Sequence, residues 1–355
     1  MVDQSLAEVS NLAIVVAIVL YVLALVGFAG DLASSTQRRS DARLRSEHIE
    51  APAAKHPVVV SAGGAPAEGI PSRTPGGSAL TITAPSRDAP RSMSSQKFAF
   101  FIAGAGTLVH VAGVGLRAAA TQRVPWANMY EFAITSAALV MLLFLIFSIT
   151  RRELRLLGTF VVGAILLLMF LAQTFWLVPA AALTPSLQNS HWLVIHIGVA
   201  ILATALSILG ALVASLQLIQ ARDEKSRADR SASGAEHIEH RGRTGVILDR
   251  LPESGVLETL SFRVHSVAFV CWTFTLICGS IWAREAWGRF WGWDPKEVWT
   301  FVIWVLYAAY LHARATGGFR GNRAAALALA GFVAVVFNYT IVNTVINGLH
   351  SYSGL

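Results

Sequence analysis

Charge is what this chain has least of: Asp, Glu, Lys and Arg make up 14% of its 355 residues, against about 25% in a soluble domain. The deficit is taken up by apolar runs of about 20 residues, the length that crosses a hydrocarbon core as a helix. Eight such runs stand at roughly 11–29, 98–118, 128–149, 156–178, 192–219, 263–283, 297–315 and 324–346. Backbone groups in lipid must bond within their own segment, and these runs are too long for strands. The expected fold is therefore all-α, a polytopic membrane protein of about eight spans. Cysteine is scarce too. Cys271 and Cys278 fall in one apolar run, and no CxxCH is present, which excludes a disulfide framework and a c-type cytochrome. The chain also lacks GxxxxGK[ST], a GxGxxG after a strand, and HExxH, so nucleotide and zinc chemistry have no support.

The net charge of +7 raises the question of nucleic acid, and its distribution answers against it. With the N-terminus outside, the loops near 30–97, 149–155, 219–263 and 313–323 fall inside and hold 23 of the 28 Lys and Arg. The outer segments hold Arg117, Arg123, Arg284, Arg289 and Lys296. That asymmetry follows the positive-inside rule through all eight crossings and puts both termini outside. The first run follows an acidic start, Asp3 and Glu8, and precedes Arg38 and Arg39. A cleaved signal peptide has the reverse order, so residues 1–30 read as an anchor helix. Residues 31–96 are rich in Pro, Gly, Ser, Ala and Arg, which predicts a flexible cytoplasmic linker. Residues 97–355 then form a seven-helix domain.

One outer loop stands apart. WGRFWGWDPKEVW, Trp287–Trp299, holds four of ten tryptophans, with Trp282 just before it. Interfacial anchoring accounts for some of them, because the indole is amphipathic. Asp294, Pro295 and Glu297 also fit the N-cap, first position and capping-box residue of the next helix. Neither reading explains the density. Trp287 and Trp291 are four apart and share a face if the loop is helical. Flat apolar rings beside Arg284, Arg289 and Lys296 suit a planar ligand carrying carboxylates, such as haem with its propionates.

Haem iron takes axial imidazole. His48, His56, His237 and His240 lie in inner loops. His196 sits about two turns into its helix, ahead of small Ala200 and Ala203, and His191 points about 140° away from it. His350 lies in the outer C-terminal segment, so His196 and His350 make a pair at similar depth. His312 is about 26 Å down its helix and His110 about 18 Å up from the inner side. Neither depth matches the other, so His312 needs a ligand from elsewhere. His265, beside Arg263, reads as a capping residue.

At these residues a family resemblance emerges. WAREAWGRFWGWDPKEVW resembles the signature of the WWD haem-handling proteins, specifically the two-component cytochrome c biogenesis proteins of the CcsA/CcsB/ResC type. PWANMYEF, SHWLVIHIGVA, YLHARATGGFRGNRAA and GLHSYSGL follow the family's order. The resemblance implies that His196 and His350 ligate the iron of haem b at an outer site, and that His312 holds haem within the membrane. It implies a pocket of Trp287, Trp291, Trp293, Asp294 and Trp299, with Arg284, Arg289 and Lys296 for propionates; His110, Asn128 and Glu131 are further candidates. The implied activity is thioether attachment of haem to an apocytochrome c CxxCH, as a holocytochrome c synthase acting with a ResB-like partner that has a large outer domain. A thioredoxin-like thiol reductant and membrane lipid complete the implied partners, with no nucleic acid. The implied location is a plasma or thylakoid membrane, with the site extracytoplasmic. Phe290 stands where the family often has Tyr. Two other classes stay open on the residues alone: a b-type haem electron-transfer subunit, which needs histidines paired at matching depth, and a non-haem transporter, which calls for broken helices.

Overall fold

The computed structural model describes residues 2–49, 94–181, 190–233, 243–316 and 319–350. Its helices are α1 (Gln4–Ile49), α2 (Ser95–Thr121), α3 (Met129–Thr150), α4 (Gly158–Phe175), α5 (His191–Ala232), α6 (Arg243–Leu248), α7 (Ser254–Trp287), α8 (Pro295–Ala315), α9 (Asn322–Tyr339) and α10 (Ile341–Thr344), with a 3-10 turn at Arg152–Leu157. Eight are long and apolar enough to cross a membrane, and no strand occurs among the described residues.

Two packed groups make up the bundle. In the first, α1 lies along α2 and touches α4, while α3 packs on α4. Its core holds Ile14, Ala17 and Tyr21 of α1, Ala103 of α2, and Met141 and Ile165 from α3 and α4. In the second, α5, α7, α8 and α9 meet around Ala203, Trp272, Ile303, Tyr307 and Val335. Ala205, Leu209 and Val213 on the far side of α5 join the first core. α5 is thus the shared wall of both groups.

Three boundaries differ from the sequence expectation. α1 continues through Ile49 rather than ending near residue 30, α5 reaches Ala232, and α7 runs from Ser254 to Trp287. Apolar patterning sees only the membrane-buried stretch, whereas these helices carry on as charged ones. Nor is α1 a detached anchor: its Ile14, Ala17, Tyr21, Ala24 and Phe28 are buried, and Arg250 bonds the Asp31 carbonyl at 2.9 Å. The rest of the expected linker, residues 50–93, lies outside the described residues.

One end of the first group is fixed by a polar knot. Asn128 caps α3 by accepting from the Glu131 N–H at 2.9 Å. Glu131 is fully buried and accepts from Arg117 at 3.2 Å, from Arg123 at 2.7 Å and from the Ala127 N–H at 2.9 Å. Arg117 also donates to the Val178 carbonyl at 2.9 Å. This network stitches α2, the α2–α3 loop and the end of α4 together. Removing the acid strands two guanidiniums, one wholly buried. Glu131→Gln should therefore destabilise the chain by roughly 3–5 kcal/mol, seen as a lowered unfolding temperature in detergent, while Arg123→Gln, at the more exposed partner, should cost less.

Candidate functional site

At one end of the second group a cavity of about 180 Å³ opens between α3, α5, α7, α8 and α9. Four indoles line it, those of Trp126, Trp272, Trp282 and Trp291, together with His196, His350, Lys296, Asn128, Thr275, Gly279 and Asn338.

Each histidine on this wall is held by one nitrogen. The Nδ1 of His196 lies 2.9 Å from the Thr275 carbonyl oxygen. A carbonyl only accepts, so Nδ1 carries the hydrogen and Nε2 carries the lone pair. His350 Nδ1 lies 2.7 Å from Asp294 Oδ2, and an ionised carboxylate imposes the same tautomer. A ring held through Nδ1 by an oxygen is the arrangement of an oriented metal-binding imidazole. Both rings adjoin one indole: Trp282 is 6.0 Å from His196, nearly parallel, and 5.6 Å from His350. Trp287 packs on the other side of His350 at 4.8 Å.

α7 admits His196 through a glycine. A Cβ on Gly279 would sit 2.7 Å from the His196 ring, closer than real side chains approach. Trp272, Thr275, Gly279 and Trp282 follow one another at i, i+3, i+7 and i+10, which is one helix face.

Asp294 links the site. It caps α8, accepting from the Lys296 N–H, while Glu297 completes the capping box. Its other oxygen accepts from the Leu349 N–H at 2.6 Å. Burial pushes its carboxyl up, but the bonds from His350, Leu349 and Lys296 outweigh that and hold it below its ordinary 3.8. Glu297 orders the tryptophan loop, accepting from Gly292 N–H at 2.8 Å, Asp294 N–H at 3.1 Å and Arg289 at 3.2 Å.

Lys296 reaches into the cavity wall. Its Nζ donates to the Asn338 carbonyl at 2.9 Å and to Asn343 Oδ1 at 2.8 Å. Both acceptors are neutral, and among the described residues no carboxylate forms an ion pair with it. Asn338 Oδ1 is buried and without a partner among the described residues. The polar pole of the cavity thus holds a buried amine bonded to two neutral oxygens, with the Asp294 carboxylate as its charge partner.

Other expected residues lie elsewhere. The loop after α7 is not helical: α7 stops at Gly288, whose φ of 74° favours glycine, so Trp287 and Trp291 do not share a helix face. Trp293 is 74% exposed and meets Trp291 at 5.8 Å. Trp299 packs on Phe337 at 4.1 Å. Arg284 bonds the Gly288 carbonyl, and Arg289 lies over Trp287 at 5.7 Å; neither lines the cavity. Glu131 belongs to the knot described above. His110 is buried in the α1–α2 seam, 3.3 Å from the Tyr21 hydroxyl, away from the cavity lining. His312 is exposed near the C-terminal end of α8. His265 is not a cap: it lies a third of the way along α7, fully buried, with Nδ1 2.9 Å from the Ser261 carbonyl and its ring between Tyr307 and Tyr310. The sequence reading of its position relied on an apolar start near residue 263, and α7 begins nine residues earlier.

Residues 126–350 match the family described as Cytochrome C assembly protein. Among curated relatives, the chain is 41% identical over 174 residues to the cytochrome c biogenesis protein CcsA of Prochlorococcus marinus, covering 48% of this chain and 55% of that protein. It is 38% identical over 179 residues to CcsA of Parasynechococcus marenigrum, covering 49% and 58%. With CcsA of Chlorella vulgaris it shares 32% identity over 249 residues, covering 65% and 78%. The chain thus spans little more than half the length of the first two.

Asp294→Asn separates the two jobs of this residue. Asn caps helices about as well as Asp, so stability should change by less than about 1 kcal/mol. The charged hold on His350 is lost, and affinity for added haemin, followed by titration of the Soret band, should fall about 10–100-fold. In the unaltered chain the lowered carboxyl value means that the Asp294 contribution is fully present above 3.8 and vanishes only as pH falls through the still lower folded value. Docking of the His350 segment, read as resistance to carboxypeptidase, should therefore hold unchanged from neutral pH to about pH 5.

Proposed function

The chain belongs to the cytochrome c assembly protein family, and from that membership and the cavity we propose that it binds haem in cytochrome c maturation. It presents the haem, between His196 and His350, for thioether attachment to the CxxCH thiols of an apocytochrome c. The observation that carries the reading is the pair of imidazoles: each is oriented through Nδ1 by an oxygen, and both adjoin Trp282 in one indole-walled cavity.

The residues fit the cargo. Indoles accommodate a porphyrin plane, the two imidazoles supply axial ligands, and the Lys296 ammonium, held by Asn338 and Asn343, supplies a cation for a propionate carboxylate. Lys296, rather than Arg284 or Arg289, is the propionate residue in this reading. A cavity of about 180 Å³ is small beside the roughly 300–1,000 Å³ of sites for drug-sized ligands. Loading therefore requires the Phe290–Trp291 side of the loop to move outward.

No side chain of this chain turns over in the reaction. Its part is to hold the porphyrin so that the vinyl edge meets the incoming thiols, an effect of position rather than of a protein nucleophile. The thiols must arrive reduced, which is the role assigned to a thioredoxin-like reductant. A ResB-like partner with a large outer domain completes the synthase. The cavity faces the extracytoplasmic side of a plasma or thylakoid membrane, the N- and C-termini lie on that side, and residues 97–355 are the haem-handling domain. Residues 31–96 remain on the cytoplasmic side.

The test is cytochrome c maturation in a host whose own system is deleted, read as covalent haem on c-type cytochromes after gel separation. His196→Ala combined with His350→Ala should abolish it. Wild-type covalent haem in that double variant would refute the function.

A further inference from the structure

We propose that residues 289–292 form a hinged flap over the cavity, turning on Gly288 and Trp293 and latched by Glu297, and that its opening sets how fast a ligand enters and leaves. The ligand is the haem of the reading above, and that part of the proposal rests on it. Phe290 and Trp291, in the middle of the segment, both line the cavity. Phe290 is also 58% exposed, so the segment lies between the cavity and its surroundings.

Both ends of the segment carry left-handed backbone. Gly288, the C-cap of α7, has φ 74°, and Trp293 has φ 60°. Glycine takes that conformation freely. A bulky residue takes it at a cost, and the Trp293 ring does little to offset it. That side chain is 74% exposed, and its ring contact, at 5.8 Å, is to Trp291 on the flap itself.

The compensation comes from one oxygen. Glu297 Oε2 accepts from the Gly292 N–H at 2.8 Å and from the Asp294 N–H at 3.1 Å. N–H groups that converge on one acceptor form a nest, which needs a left-handed residue in the turn. The conformation of Trp293 and the bonds to Glu297 therefore stand or fall together. The other oxygen of Glu297 takes the Arg289 guanidinium at 3.2 Å. That guanidinium folds back over Gly292, where a Cβ would fall on it.

Little else holds the segment. Among the described residues, none of residues 289–293 makes a backbone–backbone hydrogen bond, whereas Gly288 and Val298 on either side are bonded into α7 and α8. Loss of the latch frees both N–H groups, lets Trp293 return to ordinary φ, and swings Phe290 and Trp291 away from the cavity. Loop ends that absorb a large change in φ and ψ are how hinges work.

The experiment uses the full chain in detergent, without and with haemin. Hydrogen–deuterium exchange across residues 288–294, expressed as protection relative to each variant's own unstructured rate, reads the flap with no ligand present. Haemin release to an excess of a soluble apo-globin, followed at the Soret band, reads the gate. Gln also completes a capping box, so Glu297→Gln weakens the latch without uncapping α8. Glu297→Gln and Arg289→Gln should each lower protection and speed release by about 2–5-fold, the scale of a part-exposed ion pair. The double variant should do no more than either alone, and Gly292→Ala, which pushes the guanidinium aside, should act in the same direction. Trp293→Ala removes the ring and keeps the strained backbone; Trp293→Gly removes both. Protection in Trp293→Gly should exceed that in Trp293→Ala by about fivefold, with release slower by the same factor. Equal protection in those two variants, or latch variants that change nothing or act additively, overturns the flap. A chain that shows the expected protections but takes up no haemin keeps the flap and removes the haem-handling reading.

Discussion

One carboxylate connects the start of α8 and the tryptophan loop to a segment more than fifty residues further along the chain. Asp294 starts α8, closes the tryptophan loop through its capping box with Glu297, and receives both the Leu349 N–H and the His350 ring. Oxygen acceptors are few at a membrane surface crowded with indoles, so a buried carboxylate that satisfies three donors is a strong organiser. Without it His350 would be a side chain on a short tail beyond α10. With it, His350 is oriented against Trp282 and Trp287, opposite a histidine from another helix. The same bond that sets the position also sets the tautomer.

The bundle behind this knot makes the geometry possible. α5 serves both groups of helices, so His196 rides on the most confined helix of the fold, and Gly279 lets that imidazole press against α7. α8, by contrast, is confined only on its inward side. The two faces of α8 therefore differ in kind: Lys296 and Thr300 look toward the cavity, while Phe301, Val305 and His312 look outward. One helix thus presents a closed polar site at its start and an open apolar stripe along its length.

The spans were legible in the sequence because hydrocarbon imposes a length and a polarity on each helix, and that signal is independent of tertiary packing. The capping box of α8 was legible for a similar reason, being local in sequence. Lys296, Trp291, His196 and His350 were named from residue type and position. What stayed hidden was set by contacts between helices. Trp282 was grouped with the tryptophan loop and Trp272 fell in a flanking helix; their spacing with Thr275 and Gly279 on one face of α7 went unread. Asn338 and Asn343 carried no motif at all; only the Lys296 ammonium identifies them. Arg284 and Arg289 have the right charge and the wrong placement, because arginines beside indoles satisfy themselves locally by stacking and by loop carbonyls. His265 looked terminal only because its helix begins in polar residues that hydropathy does not register.

The central claim is that His196 and His350 grip one iron. Electron paramagnetic resonance of the ferric haem-loaded chain tests it most directly. The account predicts a low-spin, six-coordinate signal that turns high-spin when either His196 or His350 is replaced by Gly, and returns to low-spin with added imidazole. A high-spin signal in the unaltered chain, or a low-spin signal unchanged in both single replacements, would contradict it.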